Sequence, residues 1–305
     1  MNKILQDIID DNRKYTEQGQ VATYIPELKK ANRDDLGICL IDMNNNIYKA
    51  GNYDTKFTIQ SISKAIVLAM VLEDNDWSYV FSKVGMEPSG DPFNSIMKLE
   101  TTDTKKPCNP MINAGAIVTT SLIKGKDVKE KEERMLNFFK KLSKNDNLKI
   151  NYDVYESEKA TGDRNRAMAY LLKNDGFIEG NVEEVLDLYF KQCSIEVDCV
   201  DLARMGVNLA SYGVDIETGE RLVDENISRI VKTFMVTCGM YDASGEFAIK
   251  VGIPAKSGVG GGIMSSVPTK MGIGIYGPSL DTKGNSIAGL KILQKLSKEY
   301  NLNIF

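Results

Sequence analysis

The sequence predicts a mixed α/β fold of the α+β kind, in which an antiparallel sheet built from N- and C-terminal segments is flanked by helices and carries an inserted helical lobe. Three observations predict it. β-rich runs lie near both ends of the chain, helical periodicity fills most of the middle, and no linker or internal repeat separates the parts. The expected division is a discontinuous sheet-plus-helix unit at 1–60 and 222–305 and a mainly helical unit at 61–221, joined as one compact body with a cleft between them.

Taken in order, residues 3–17 place Ile4, Leu5, Ile8 and Ile9 among charges, the pattern of an amphipathic opening helix. LGICLIDMNNNIYKAGN gives two β-rich runs around Asn44, Asn45 and Asn46, which tolerate tight turns, so a hairpin is expected. From about Glu73 to Arg221, runs such as AGAIVTTSLI, KEERMLNFFKKL and VEEVLDLYFKQC read as helices, and DLARMGVNLASYG closes on Gly213 as a C-cap. GMEPSGDPFN and KKPCNPMINAG read as loops. ENISRIVKTFMVTCGM reads as a further helix, GEFAIKVGIPA, GGIMSSVP and KMGIGIYGP as short β-like runs, and NSIAGLKILQKLSKEY as a closing helix.

The 305 residues, 42% hydrophobic, suffice for a full core, and a net charge of -4 without a basic block leaves no footprint for nucleic acid or an anionic membrane. Five scattered cysteines suggest a reducing, cytoplasmic setting, and neither a signal peptide nor a span long enough for a bilayer is read. The chain has no histidine. Ser-His-Asp and Cys-His chemistry and histidine metal sites are therefore excluded, no metal or cofactor is expected, and acid-base work falls to lysine, tyrosine or carboxylates.

QSISKAIVLAM places Ser61 and Lys64 one turn apart at the head of a run that is apolar nearly all round. Either Lys64 is a satisfied core lysine, or it is the base of a serine nucleophile. A solvated lysine, with pKa of about 10.4, is no base near neutral pH, but burial lowers that value. S-x-x-K is weak by itself, since Ser95 with Lys98 and Ser121 with Lys124 also match. Lys256-Ser257-Gly258 adds the K-[ST]-G element that accompanies S-x-x-K in penicillin-binding proteins and class A β-lactamases, although no S-D-N is present. A penicillin-interacting acyltransferase and a non-catalytic amino-acid sensor are the rival readings.

Further polar clusters surround Asn113 in NPMINAGA, Glu158 and Asn165 in SEKATGDRNRA, Tyr189 in LDLYF and Tyr241 in CGMYDASGEF. Each has a plain structural role open to it, as cap, solvated charge, core residue or turn packing. Together they supply what a zwitterionic amino acid needs: a carboxylate for its ammonium and neutral donors for its carboxylate and amide.

These strings resemble the serine-dependent glutaminases, a family of β-lactamase/transpeptidase-like fold shared by bacterial and animal mitochondrial enzymes. YIPEL, QSISK, EPSGDPFN, NPMINAGAIV, SEKATGDRN, LDLYFKQCSIEV, TGERL, CGMYDASGEFA and PAKSGVGGGI occur in family order between about Ile8 and Leu293. The resemblance implies hydrolysis of L-glutamine, with Ser61 as nucleophile, Lys64 as its base and Tyr241 as an assisting acid. It implies substrate binding by Tyr24, Ser61, Asn113, Glu158, Asn165, Tyr189, Tyr241 and the backbone of Val259. A homodimer or homotetramer and a regulatory loop at GMEPSGDPFNSIM are implied in the same way; an ordinary surface connection is the other reading of that loop.

Overall fold

The computed structural model describes residues 1–90, 92, 94–101 and 104–305, with Lys98 and Thr101 described by their backbone alone. The regulatory-loop expectation falls partly on Asp91 and Phe93, and the second S-x-x-K match on the Lys98 side chain; these lie outside the described residues.

Helix α1 (Asn2–Arg13) leads to the hairpin β1 (Gly37–Asp42) and β2 (Ile47–Gly51), then to the short β3 (Phe57–Thr58). The helical block follows as α2 (Ser63–Asp74), α3 (Trp77–Lys83), α4 (Met97–Thr101), α5 (Asn113–Ser121), α6 (Val128–Ser143), α7 (Tyr152–Ala160), α8 (Asp163–Asn174) and α9 (Val182–Cys193). After β4 (Glu196–Val197) come α10 (Cys199–Ala210), α11 (Glu225–Cys238) and α12 (Ser244–Lys250). The chain closes with β5 (Ala255–Ser257), β6 (Gly262–Val267), β7 (Met271–Tyr276) and α13 (Ile287–Glu299).

The main sheet has the order β2-β1-β7-β6-β5 and every pair is antiparallel, so both ends of the chain do contribute to it. Strand alternation decides its faces. Ile38 and Leu40 of β1 and Ile273 and Ile275 of β7 pack with Leu5, Ile8, Ile292 and Leu296 of α1 and α13. Cys39, Ile41 and Met264 point the other way, into the core formed by the helical block. On that face α10 lies against β7 so closely that a Cβ on Gly274 would sit 2.1 Å from the Cys199 carbonyl oxygen, and one on Gly272 equally near that of Ala203. The alternation Gly-Ile-Gly-Ile in β7 thus serves two neighbours at different distances.

Helix α2 is buried at every position from Ser63 to Leu72, as its unbroken apolar composition requires. It packs on α11, α5 and α6, so its first turn is fixed deep in the molecule. The hairpin turns on Asn45 in the left-handed region, at φ 62°, and Gly213 closes α10 at φ 84°, both as the sequence predicts.

One element differs from expectation. SGEFAIK forms helix α12, and the β-like run begins only at Ala255. The alternation of Phe247 and Ile249 looks strand-like, yet Phe247 is buried and Ile249 is 84% exposed, so Ile249 supports no sheet face. Glu246 and Lys250 pair at 2.6 Å one turn apart, which suits a helix. The β3-β4 ladder was also not legible; it ties the chain just before Ser61 to α9's end, through Phe57 opposite Val197 and an Ile59 N–H bond to the Ile195 carbonyl of 2.9 Å.

Because backbone atoms oppose the missing Cβ, Gly274→Ala should push α10 from the sheet and cost ~1–3 kcal/mol. Thermal unfolding would show this as a Tm lower by several degrees, with Gly245→Ala, whose Cβ would meet nothing within 4 Å, as the comparison.

Candidate active site

Ser61 sits in a 3-10 turn, Gln60–Ile62, that feeds directly into α2. Gln60 has φ 49° and Tyr241, at the head of the turn Tyr241–Ala243, has φ 53°. Among the described non-glycine residues with positive φ, only these two are buried. Such conformations cost of order 1–3 kcal/mol and persist only where the surroundings enforce them. Both flank Ser61: the hydroxyl of Tyr241 faces the Ser61 side chain and the backbone of Val259.

Lys64 is 1% exposed. Its Nζ donates to Asn113 Oδ1 at 2.6 Å and to the Met111 carbonyl at 3.4 Å. Burial lowers its pKa to about 8, against the opposing charges of Cys193 and Glu158. Asn113, first residue of α5, passes the contact on, because its Nδ2 donates to Asn165 Oδ1 at 3.1 Å. Asn165 stands in the first turn of α8.

Glu158 projects from α7 and is 7% exposed. Burial raises its pKa to about 8; the Gln60 amide, 3.5 Å from Oε2, and the charge of Lys64 oppose the rise. Among the described residues no cation stands within ion-pair distance of Glu158. Tyr189, on α9, is buried beside Cys193 and Glu158, and burial lifts its phenol well above the usual range. Tyr24 is half outside, with the residue 55% exposed, but its hydroxyl end is enclosed near Glu158 and Tyr241 and is likewise raised.

Tyr24, Ser61, Asn113, Glu158, Asn165 and Tyr189 line one cleft of about 380 Å³, its mouth included. Its lining is mainly polar, with a hydroxyl, two amides, a carboxyl and two phenols converging on one space. Lys64 does not line this cleft but bonds Asn113, which does; Tyr241 and Val259 line neighbouring depressions instead, Tyr241 adjoining Ser61. The groove between α12 and α13 is larger, about 890 Å³, but it is lined by Phe247, Leu290 and solvated lysines and offers no buried nucleophile. Among the described residues no group of three or more His, Cys, Asp or Glu side chains is placed to hold a metal ion.

The chain also resembles known proteins over its length. The glutaminase family model matches residues 19–305. The chain belongs to the glutaminase family. It is 77% identical to a glutaminase of Clostridioides difficile strain 630, over 99% of this chain and 98% of that protein. Glutaminase 2 of Clostridium perfringens strain 13 is 58% identical over the full length of both. Among solved structures, a probable glutaminase from Bacillus subtilis complexed with 6-diazo-5-oxo-L-norleucine superposes with a TM-score of 0.92 at 38% identity, covering all of this chain and 97% of that one. A second Bacillus subtilis structure, the covalent complex formed by reaction of the glutaminase with the same compound, has a TM-score of 0.92 and 38% identity, with 100% and 99% covered. This chain is accordingly an enzyme of the glutaminase type.

Several groups in the site were not anticipated from sequence. Gln60 precedes Ser61 but carries no motif that marks it as the partner of Glu158. The Met111 carbonyl has no side-chain signature at all. Lys256 of the K-S-G element is fully buried and lies 4.5 Å over the Tyr241 ring, donating to the carbonyls of Ser257 at 2.7 Å and Gly239 at 3.1 Å. The third S-x-x-K match is structural, since Ser121 bonds the Val118 carbonyl and Lys124 the Asp74 carbonyl.

The raised pKa of Glu158 carries a sign. In the unfolded chain this carboxyl ionises near 4.5, in the folded chain near 8. Its contribution to stability is therefore full below the lower value and lost as pH rises through the higher one. Glu158→Gln should unfold at higher temperature than the parent at pH 9, by a margin on the order of a few kcal/mol, and lose that advantage at pH 4; Tm measured across this range checks it.

Proposed function

We propose that this enzyme hydrolyses L-glutamine to L-glutamate and ammonia through an acyl-enzyme on Ser61, with Lys64 as the base. The observation that carries the reading is the buried amine of Lys64 one turn after Ser61. A neutral amine has two N–H groups and one lone pair. Such an amine, donating to the Met111 and Asn113 oxygens, has a lone pair able to take the Ser61 proton. The covalent complex of the Bacillus subtilis relative with 6-diazo-5-oxo-L-norleucine supports a covalent step in this family.

In this mechanism the Ser61 oxygen attacks the side-chain amide carbon, and the backbone N–H groups of Ser61 and Val259 hold the oxyanion. Tyr241, facing Ser61, hands a proton to the leaving nitrogen, ammonia departs, and water then hydrolyses the γ-glutamyl ester with Lys64 or Tyr241 assisting. Glu158 pairs with the substrate α-ammonium, while Asn113 and Asn165 orient its α-carboxylate; Tyr24 and Tyr189 enclose it. The missing cation beside Glu158 supports this assignment, since a buried carboxylate recovers its charge most readily against a cationic ligand.

The same proposal treats 1–60 with 222–305 and 61–221 as two portions of one cooperative unit, with a single unfolding transition as its check. Cytoplasmic residence and a homodimer or homotetramer also belong to it, supported by the five free cysteines and the family resemblance. Sedimentation tests the assembly.

Ser61→Ala should reduce glutamine turnover at least ~10³-fold and should abolish the mass increase on treatment with 6-diazo-5-oxo-L-norleucine. Near-normal turnover in that variant would sink the mechanism. Glu158→Gln should raise KM for glutamine ~10²-fold with a smaller change in kcat; equal KM values would remove Glu158 from ammonium binding. Because both Lys64 and Glu158 work deprotonated, kcat/KM should climb as pH rises through about 8. A flat profile between pH 6 and 9 would contradict both roles.

A further inference from the structure

We infer that Gln192, fully buried behind the cleft, is a positioning residue for the reaction, acting through Ser63 on the backbone of Gln60. The inference rests on the roles proposed above for Ser61 and Glu158. Gln60 occupies the left-handed region, immediately before the nucleophile, and its own side chain reaches Glu158. One displaced residue would therefore disturb both the reacting hydroxyl and the ammonium-binding carboxylate.

A continuous hydrogen-bond chain holds that residue. The Thr120 hydroxyl shares its proton between Gln192 Oε1 at 2.8 Å and the Ala116 carbonyl at 2.9 Å, Gln192 Nε2 donates to Ser63 Oγ at 3.1 Å, and the Ser63 hydroxyl donates to the Gln60 carbonyl at 2.7 Å. Thr120, Gln192 and Ser63 are each 0% exposed, so no solvent stands ready to replace a lost link. At Ser63 the direction follows from donor counting, because the Gln60 carbonyl can only accept. Ser63 has one proton, and the Gln192 amide N–H fills a lone pair of its oxygen, leaving that proton for Gln60. With the amide reversed, a carbonyl oxygen would compete with Gln60 for it.

Helix α9 thereby reaches the nucleophile turn at two places, through this amide and through the β3-β4 ladder that follows the helix. The ladder fixes the chain ahead of Gln60. The amide fixes Gln60 itself, where the backbone is least willing to stay.

The test compares the parent with Gln192→Met, Ser63→Ala and the double variant, well below their unfolding temperatures, in glutamine hydrolysis, in the rate of labelling by 6-diazo-5-oxo-L-norleucine, and in Tm. Each single variant should lose at least ~10-fold in kcat/KM, corresponding to one buried hydrogen bond, mostly in kcat. The rising limb of the pH profile should move to higher pH, because the Gln60 contact that restrains the Glu158 pKa is loosened. The double variant should be no worse than the poorer single by more than about two-fold, as members of one chain do not add. A lowered Tm with kcat/KM within about two-fold of the parent, or fully additive losses, would show Gln192 to be only a core residue. If Gln192→Met does not fold, Thr120→Val keeps the shape and cuts the far link; a several-fold loss of kcat supports the inference and an unchanged kcat overturns it. Ser61→Ala separates the levels: inactive Ser61→Ala beside a fully active Gln192→Met sinks this inference alone, whereas an active Ser61→Ala removes the mechanism beneath it.

Discussion

The structure depends on keeping the amine of Lys64 out of water. Burial of a lysine is unfavourable unless its N–H groups find acceptors, and here the acceptors come from a distant segment, the Met111 carbonyl and Asn113 side chain at the start of α5. That single requirement ties α2 to α5. Asn113 then ties α5 to α8 through Asn165, whose side chain lines the cleft. A carboxylate in the Asn113 position would have held the lysine charged; the neutral amide satisfies its hydrogens while leaving the pKa low.

The opposite compromise is made at Glu158. There the carboxyl is buried with only the Gln60 amide near it, at 3.5 Å, which is too long to offset much of the desolvation. Lys64 and Glu158 each oppose the other's shift, so the pair is coupled, and both are displaced toward neutrality by burial. Glu158 lines the cleft directly, and Lys64 reaches its lining through Asn113. Strain is concentrated at the same place, in Gln60 and Tyr241, and rigid surroundings hold it: the β3-β4 ladder on one side, and on the other the Ser244 hydroxyl bonded to the Tyr241 carbonyl at 2.8 Å.

The sheet has a mainly architectural part in this. Close contact of α10 with the glycine-bearing face of β7 brings the helical block down on the sheet, and β5 and the turn after it then present Lys256 and Val259 beside Tyr241. Lys256, whose pKa burial and the nearby Lys64 push well below the usual lysine range, packs its amine against the Tyr241 ring and two carbonyls, so the K-S-G element supports the tyrosine from below.

By itself the sequence determined a good deal. The alternation in LGICLID and MGIGIY, the asparagine turn and the unbroken apolar run of α2 fixed the class of fold, because those patterns reflect local geometry and the need to bury one face. The lack of histidine narrowed the chemistry, and ordered motifs pointed to one family. Local pattern failed for SGEFAIK, where a strand-like alternation lost to a helical ion pair and an exposed Ile249. What only the tertiary structure decided is which groups meet: Gln60 with Glu158, Lys64 with the Met111 carbonyl, Gln192 with Ser63. These contacts join residues 47 to 129 positions apart, and one of them uses a backbone atom. No local spacing encodes them, since their partners are chosen by how whole helices pack, and the pKa values that follow are properties of that packing.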